Sequence, residues 1–140
     1  MQYKVGSWKI VNLPRNDDGS GSLFFFQTGR EINFEIQRIY YISNVPLGKA
    51  RGNHAHRNLS QAIIAIGGKL EIKLFNSFME ETIILNPLEE VLLIEGVVWR
   101  ELKFLTSDTV CVVAASSIFD ESDYIRSFEE FIQITERQKN

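Results

Sequence analysis

The sequence predicts an all-β fold class: an antiparallel sandwich or barrel closed by one short C-terminal helix. Three observations carry this. Short runs rich in β-branched and aromatic residues follow one another through most of the 140 residues. Turn-forming residues separate the runs, and a helical apolar period occurs only at the end. With 44% hydrophobic residues the chain can bury one proper core, and it shows no repeat, linker or second domain, so residues 1–140 read as one domain.

In chain order, the polar, glycine-containing stretch 16–22 reads as a loop before the apolar run 23–26. Strand-like runs then cover 34–43, 61–66, 69–75, 78–85, 90–94, 97–104 and 109–115. Gly67-Gly68, Asn76-Ser77, Asn86-Pro87, Gly96 and Thr106-Ser107-Asp108 punctuate them. Leu70, Ile72 and Leu74 alternate with Lys69, Glu71 and Lys73, the mark of one buried and one wet face. Cys111 sits in an apolar run and reads as a small core residue. Near the end, Ser127 and Glu130 form a capping box, and Phe128, Phe131 and Ile132 recur at helical spacing.

Composition narrows the chemistry. One cysteine excludes a disulfide scaffold, and two histidines exclude a three-histidine metal centre. Net charge is −3, so a general basic surface for nucleic acid is not expected. The charge is unevenly spread, however. Residues 30–73 carry seven basic side chains against three acidic ones, while 74–140 carry five against thirteen. A small anionic ligand is expected near the first segment. The N-terminus lacks the apolar run of a signal peptide, and no apolar stretch reaches membrane-spanning length, so the default expectation is a cytoplasmic protein without membrane contact.

The two histidines are spent together, as His54 and His56. In a strand, such a pair projects from one face. It is either a pair satisfied by backbone partners or an acid–base pair, since free imidazole titrates near working pH. With Gly48, Gln61 and Gly68 around it, the spacing resembles the first signature of the cupin superfamily, in which glycine, His-x-His, glutamate and a further glycine follow in order. Metal-binding cupins use that glutamate and a third histidine. Here Gln61 stands at the glutamate position and no third histidine exists, so no metal is expected.

Longer motifs make the resemblance specific. Arg51-Gly52-Asn53-His54-Ala55-His56 resembles the RGxHAH motif of the WxcM-like, FdtA/QdtA-type sugar 3,4-ketoisomerases acting on dTDP-4-keto-6-deoxyglucose. Ile36-Gln37-Arg38-Ile39-Tyr40-Tyr41-Ile42 is similar to the family's IKRVYYI strand, and Val98-Trp99-Arg100-Glu101-Leu102 to its W-R/H-E segment. Ala115-Ser116, followed by Phe119-Asp120-Glu121-Ser122-Asp123-Tyr124-Ile125-Arg126, resembles its AS…YDExDYIR ending. Ser20, Gln27 and Asn33 depart from residues common in the family's N-terminal third.

The resemblance implies a cupin jelly roll (double-stranded β-helix) that forms a homodimer. It implies a cofactor-independent enzyme moving a keto group from C4 to C3 of a nucleotide-linked hexose, for the synthesis of deoxy-amino sugars of the kind found in O-antigen or S-layer glycans. His56 is the expected base at carbon, with His54 assisting at oxygen and Tyr41 as a hydroxyl donor. Arg51 and Arg100 are expected at the diphosphate or the sugar oxygens, with Arg38 a weaker candidate. Trp99 or Tyr40 would stack on the nucleobase. Glu101, Asp120 and Asp123 receive no catalytic role, and 120–123 reads as a solvated turn before the helix. The alternatives are a metal-free 3,5-epimerase, which would pair histidine with aspartate and finds no aspartate in 19–107, or a cupin that binds a nucleotide sugar without turning it over. A metal dioxygenase is disfavoured by Gln61.

Overall fold

The computed structural model describes residues 3–139. Two five-stranded antiparallel sheets face each other. Label the strands β1 (Ser7–Asn12), β2 (Arg15–Asp18), β3 (Gly21–Phe24), β4 (Arg38–Ile42), β5 (Ala50–His56) and β6 (Ser60–Ile66). They continue as β7 (Leu70–Phe75), β8 (Glu80–Leu85), β9 (Glu90–Glu95), β10 (Trp99–Phe104), β11 (Val110–Ala115) and β12 (Tyr124–Ile125). One sheet runs β1-β9-β6-β11-β4 and the other β12-β5-β10-β7-β8, while β2 and β3 form a separate hairpin. The predicted sandwich and its helix are both present.

Alternation sorts each strand. Ile63, Ala65, Leu92, Ile94 and Val113 from the first sheet meet Leu70, Ile72, Leu74, Leu102 and Phe104 from the second, and these fill the interior. The helix α1 (Phe128–Glu136) starts where the capping box predicts: Glu130 N–H donates to Ser127 Oγ over 3.2 Å. Its Phe131 packs with Ala55, Val97, Trp99 and Ile125 on the outside of the second sheet. The β12, β5 and β10 part of that sheet is therefore covered on both faces. Cys111 is buried in the core, which pushes its thiol up to about 12.

Some boundaries differ from the sequence reading. The stretch 16–22 is no loop but most of the β2–β3 hairpin, with Ser20 in its turn held by Asp18. Its strands escape the alternation test because β2 is exposed at all four positions. The run 34–43 contributes only Arg38–Ile42 as strand, while Phe34 and Ile36 pack under the hairpin with Ile32 and Leu13. No helix is long and apolar enough to cross a membrane among the described residues.

Candidate active site

At one end of the sandwich the apolar filling gives way to a cavity of about 430 Å³. Strand parity decides who faces it. On β10, Leu102 and Phe104 point into the core, so Arg100 does too and is only 2% exposed. Trp99, one residue earlier, points the other way, into the cluster under α1 beside Phe128 and Phe131. The nucleobase-stacking role expected for Trp99 therefore fails on geometry. On β4 the same rule turns Arg38 and Tyr40 inward and leaves Tyr41 73% exposed. Tyr41 borders the cavity from this outer position, and Tyr40 supplies the interior phenol.

A bulge sets the third group. Arg100 pairs with His54 across β10 and β5, but Leu102 pairs with Arg51, so β5 carries one extra residue there. Gly52, at φ +67°, absorbs it in a conformation that glycine adopts without strain. Regular alternation would set Arg51 and His54 on opposite faces. The bulge brings both to the cavity.

The histidines are stacked in depth. His54 lines the cavity. His56 is fully buried, its ring edge-on to His54 at 4.8 Å. Tyr124, paired with His56 across β12 and β5, completes a ring cluster at 5.0 Å from His54 and 4.4 Å from His56. Behind His56, Asp123 Oδ2 lies 2.8 Å from Nδ1. Burial would raise the Asp123 carboxyl, but hydrogen bonds from His56 and the backbone N–H of Asn58 outweigh it and hold it below the usual range. With Asp123 ionised, the proton sits on His56 Nδ1 and the lone pair on Nε2, a buried atom without a hydrogen-bond partner among the described residues. Burial, then the Arg100 charge, push His54 down to about 2, so it is neutral at working pH. His56 is pushed down to about 4, chiefly by burial and against the Asp123 hydrogen bond.

The wall is cationic. Arg38, Arg51, Arg100 and Arg126 line the cavity, and no acidic residue does among the described residues. Arg126 is clamped by Glu121 at 2.7 and 3.0 Å and lies over the Tyr124 ring. Arg38 stacks on Tyr40 and Phe119 with its buried Nε unpartnered. Arg100 donates to Val98 O at 3.0 and 3.3 Å and, across the sandwich, to Gln61 Oε1. Burial lowers it to about 10, so it stays charged. Gln61 in turn donates to Tyr40 Oη at 2.9 Å. This donor set does not fit a divalent cation, because the Gln61 oxygen is engaged by a guanidinium whose charge would repel the metal.

His54, His56, Arg51, Arg100 and Arg38, the candidates named from the sequence, thus lie at one end of the sandwich, joined by Tyr40. The sequence reading assigned Asp123 to a solvated turn, yet its side chain is 15% exposed and backs His56. This removes one argument used against an epimerase, since the histidine's aspartate comes from beyond 19–107. Tyr124, Phe119 and Arg126 were also missed. They lie in the quoted 119–126 motif, which is where a signal for them existed. Ser20, Gln27 and Asn33 lie outside the cavity lining.

A profile of the FdtA family (WxcM-like, C-terminal) matches residues 6–136. The chain is 33% identical over 123 residues to the TDP-4-oxo-6-deoxy-alpha-D-glucose-3,4-oxoisomerase of Aneurinibacillus thermoaerophilus, covering 88% of each chain. Among solved structures it is similar to a 3,4-ketoisomerase from Helicobacter canadensis (36% identity, TM-score 0.88, 92% of this chain and 97% of that one). It is also similar to a histidine-to-asparagine mutant of the 3,4-ketoisomerase QdtA from Thermoanaerobacterium thermosaccharolyticum in complex with TDP-4-keto-6-deoxyglucose (32% identity, TM-score 0.89, 94% and 95% covered). The jelly roll expected of a cupin is the fold these comparisons share.

Proposed function

Because this chain belongs to the FdtA family (WxcM-like, C-terminal) and is an isomerase, we propose that it converts a TDP-linked 4-keto-6-deoxyhexose to its 3-keto isomer by histidine-mediated proton transfer. The observation that carries the reading is a neutral imidazole, His54, facing an acid-free cavity lined by four arginines. A diphosphate suits such a wall, because guanidinium forks match phosphate oxygens.

The reaction moves protons only. A base removes the proton from C3, alpha to the C4 ketone, and the electron pair shifts to O4. The resulting enediolate gains a proton at C4 and at O4 and loses one from O3. C3 is oxidised as C4 is reduced, so no external oxidant or reductant enters. In the proposed order His54 exchanges the proton at carbon, the reverse of the order the sequence suggested. In support, His54 lines the cavity, whereas His56 lies wholly buried behind it. His56, with Nδ1 committed to Asp123, offers Nε2 as a second proton acceptor. The Arg100 N–H groups and the Tyr40 hydroxyl are donors for the developing oxyanion. A homodimer belongs to the same reading, supported by the edge strand β4 and its exposed Ile39 and Tyr41.

Incubation of the protein with TDP-4-keto-6-deoxyglucose, followed by NMR with and without prior chelation, tests this. The 3-keto product is expected at equal rates in both. A rate that falls with chelation and returns with a metal overturns the metal-free mechanism. Tight binding without product leaves a binding protein.

A further inference from the structure

We propose that Gln61 is the positioning residue that sets the polarity of the cavity wall: it holds Arg100 without cancelling its charge and turns the Tyr40 hydroxyl proton toward the cavity. The proposal rests on the ketoisomerase reading of the site and deepens it.

The orientation of the amide follows from its partners. Guanidinium only donates, so the Gln61 atom facing Arg100 is the oxygen. The amide NH₂ then faces Tyr40 and donates to Oη over 2.9 Å. The phenol oxygen is thereby an acceptor toward Gln61, and its own proton must point elsewhere. Among the described residues no protein acceptor takes it, and Tyr40 lines the cavity. Burial raises the Tyr40 phenol, which keeps that proton in place.

Charge gives the second half. Arg100 is buried with only neutral acceptors, Val98 O and Gln61 Oε1, and forms no ion pair among the described residues. A buried cation normally has a carboxylate partner. Glutamate would occupy nearly the same volume at 61 and would provide one. It would also accept from Tyr40, so the phenol proton would be consumed inside the protein and the positive charge neutralised. The amide bridges two sheets, from β6 to β10, and leaves the Tyr40 proton and the Arg100 charge available to an anionic oxygen between them.

The test compares Q61E with Q61L. Glutamate keeps the hydrogen bond to Arg100 but removes its charge from play. Leucine loses both hydrogen bonds but leaves the charge uncompensated and Tyr40 free. Q61E is expected to fold with a melting temperature at or above that of the unaltered protein, and to lose turnover by about 100-fold or more. Q61L is expected to retain roughly tenfold more turnover than Q61E. A purely structural tether predicts the reverse order, and that order overturns the proposal. So does a Q61E chain that turns over within about threefold of the unaltered protein, or one that does not fold. A readout free of turnover is TDP affinity measured calorimetrically at neutral pH. The added carboxylate must make Q61E bind TDP more weakly than Q61L does, and equal or tighter binding by Q61E contradicts the charge argument. If the unaltered protein itself gives no product, the ketoisomerase reading fails, while the TDP affinities still decide the polarity of the wall.

Discussion

The two faces of the β5–β10 pair share strands, hydrogen bonds and register, yet do opposite things. Outward, Ala55 and Trp99 are sealed under Phe131 of α1. Inward, His54 and Arg100 stand directly opposite each other and open onto the cavity. Adjacent residues thus differ in kind: Trp99 packs under the helix and Arg100 faces the cavity. β4 repeats the lesson with Tyr40 inside and Tyr41 outside. In a two-sided sheet, parity rather than residue type separates a site residue from its neighbour.

Substitutions on the two faces sharpen this contrast. The largest effect is expected for His54→Asn, with turnover reduced by about 10²- to 10⁴-fold and TDP affinity, measured calorimetrically, largely kept. Arg100→Met should lower turnover by about 10²- to 10³-fold, as read by single-turnover kinetics. Asp123→Asn replaces the ionised carboxylate that accepts from neutral His56 and should lower turnover about 10- to 100-fold, with circular dichroism unchanged. On the outer face, Trp99→Ala should cost about 3–5 kcal/mol of stability in urea unfolding, while the surviving folded fraction turns over normally. Tyr41→Phe should leave kcat within about twofold, whereas Tyr40→Phe should not. Equal losses from the two tyrosines would break the contrast.

Acid should act on stability through the inner face. His54 and His56 titrate near 2 and 4 in the folded protein, and at about 6.5 when unfolded. Between those values the unfolded chain binds protons that the folded chain refuses, so stability falls as pH drops below about 6.5. A melting temperature followed from pH 7 to 4 should decline, and less steeply in His54→Asn.

Much of this was legible in the sequence. Strand runs, turn residues and the Ser127–Glu130 cap specified the sandwich and its helix. The His-x-His pair, Arg51 and Arg100 pointed to the candidate site. What was hidden has physical reasons. Without knowing which face of β4 or β10 is inward, Tyr41 and Trp99 are indistinguishable in kind from Tyr40 and Arg100. The Gly52 bulge shifts parity within a single strand. Asp123 lies 67 residues from His56, and only the return of the chain as β12 brings the two together. Gln61, read as a missing metal ligand, is instead the link between Arg100 and Tyr40.

Proton transfer by the inner face is tested most directly in deuterated buffer. TDP-4-keto-6-deoxyglucose and the unaltered protein should yield a 3-keto product carrying solvent deuterium at C4, and His54→Asn should yield almost none. Recovery of unchanged, undeuterated substrate contradicts the assignment, and deuterium at C3 and C5 without a keto shift marks an epimerase instead.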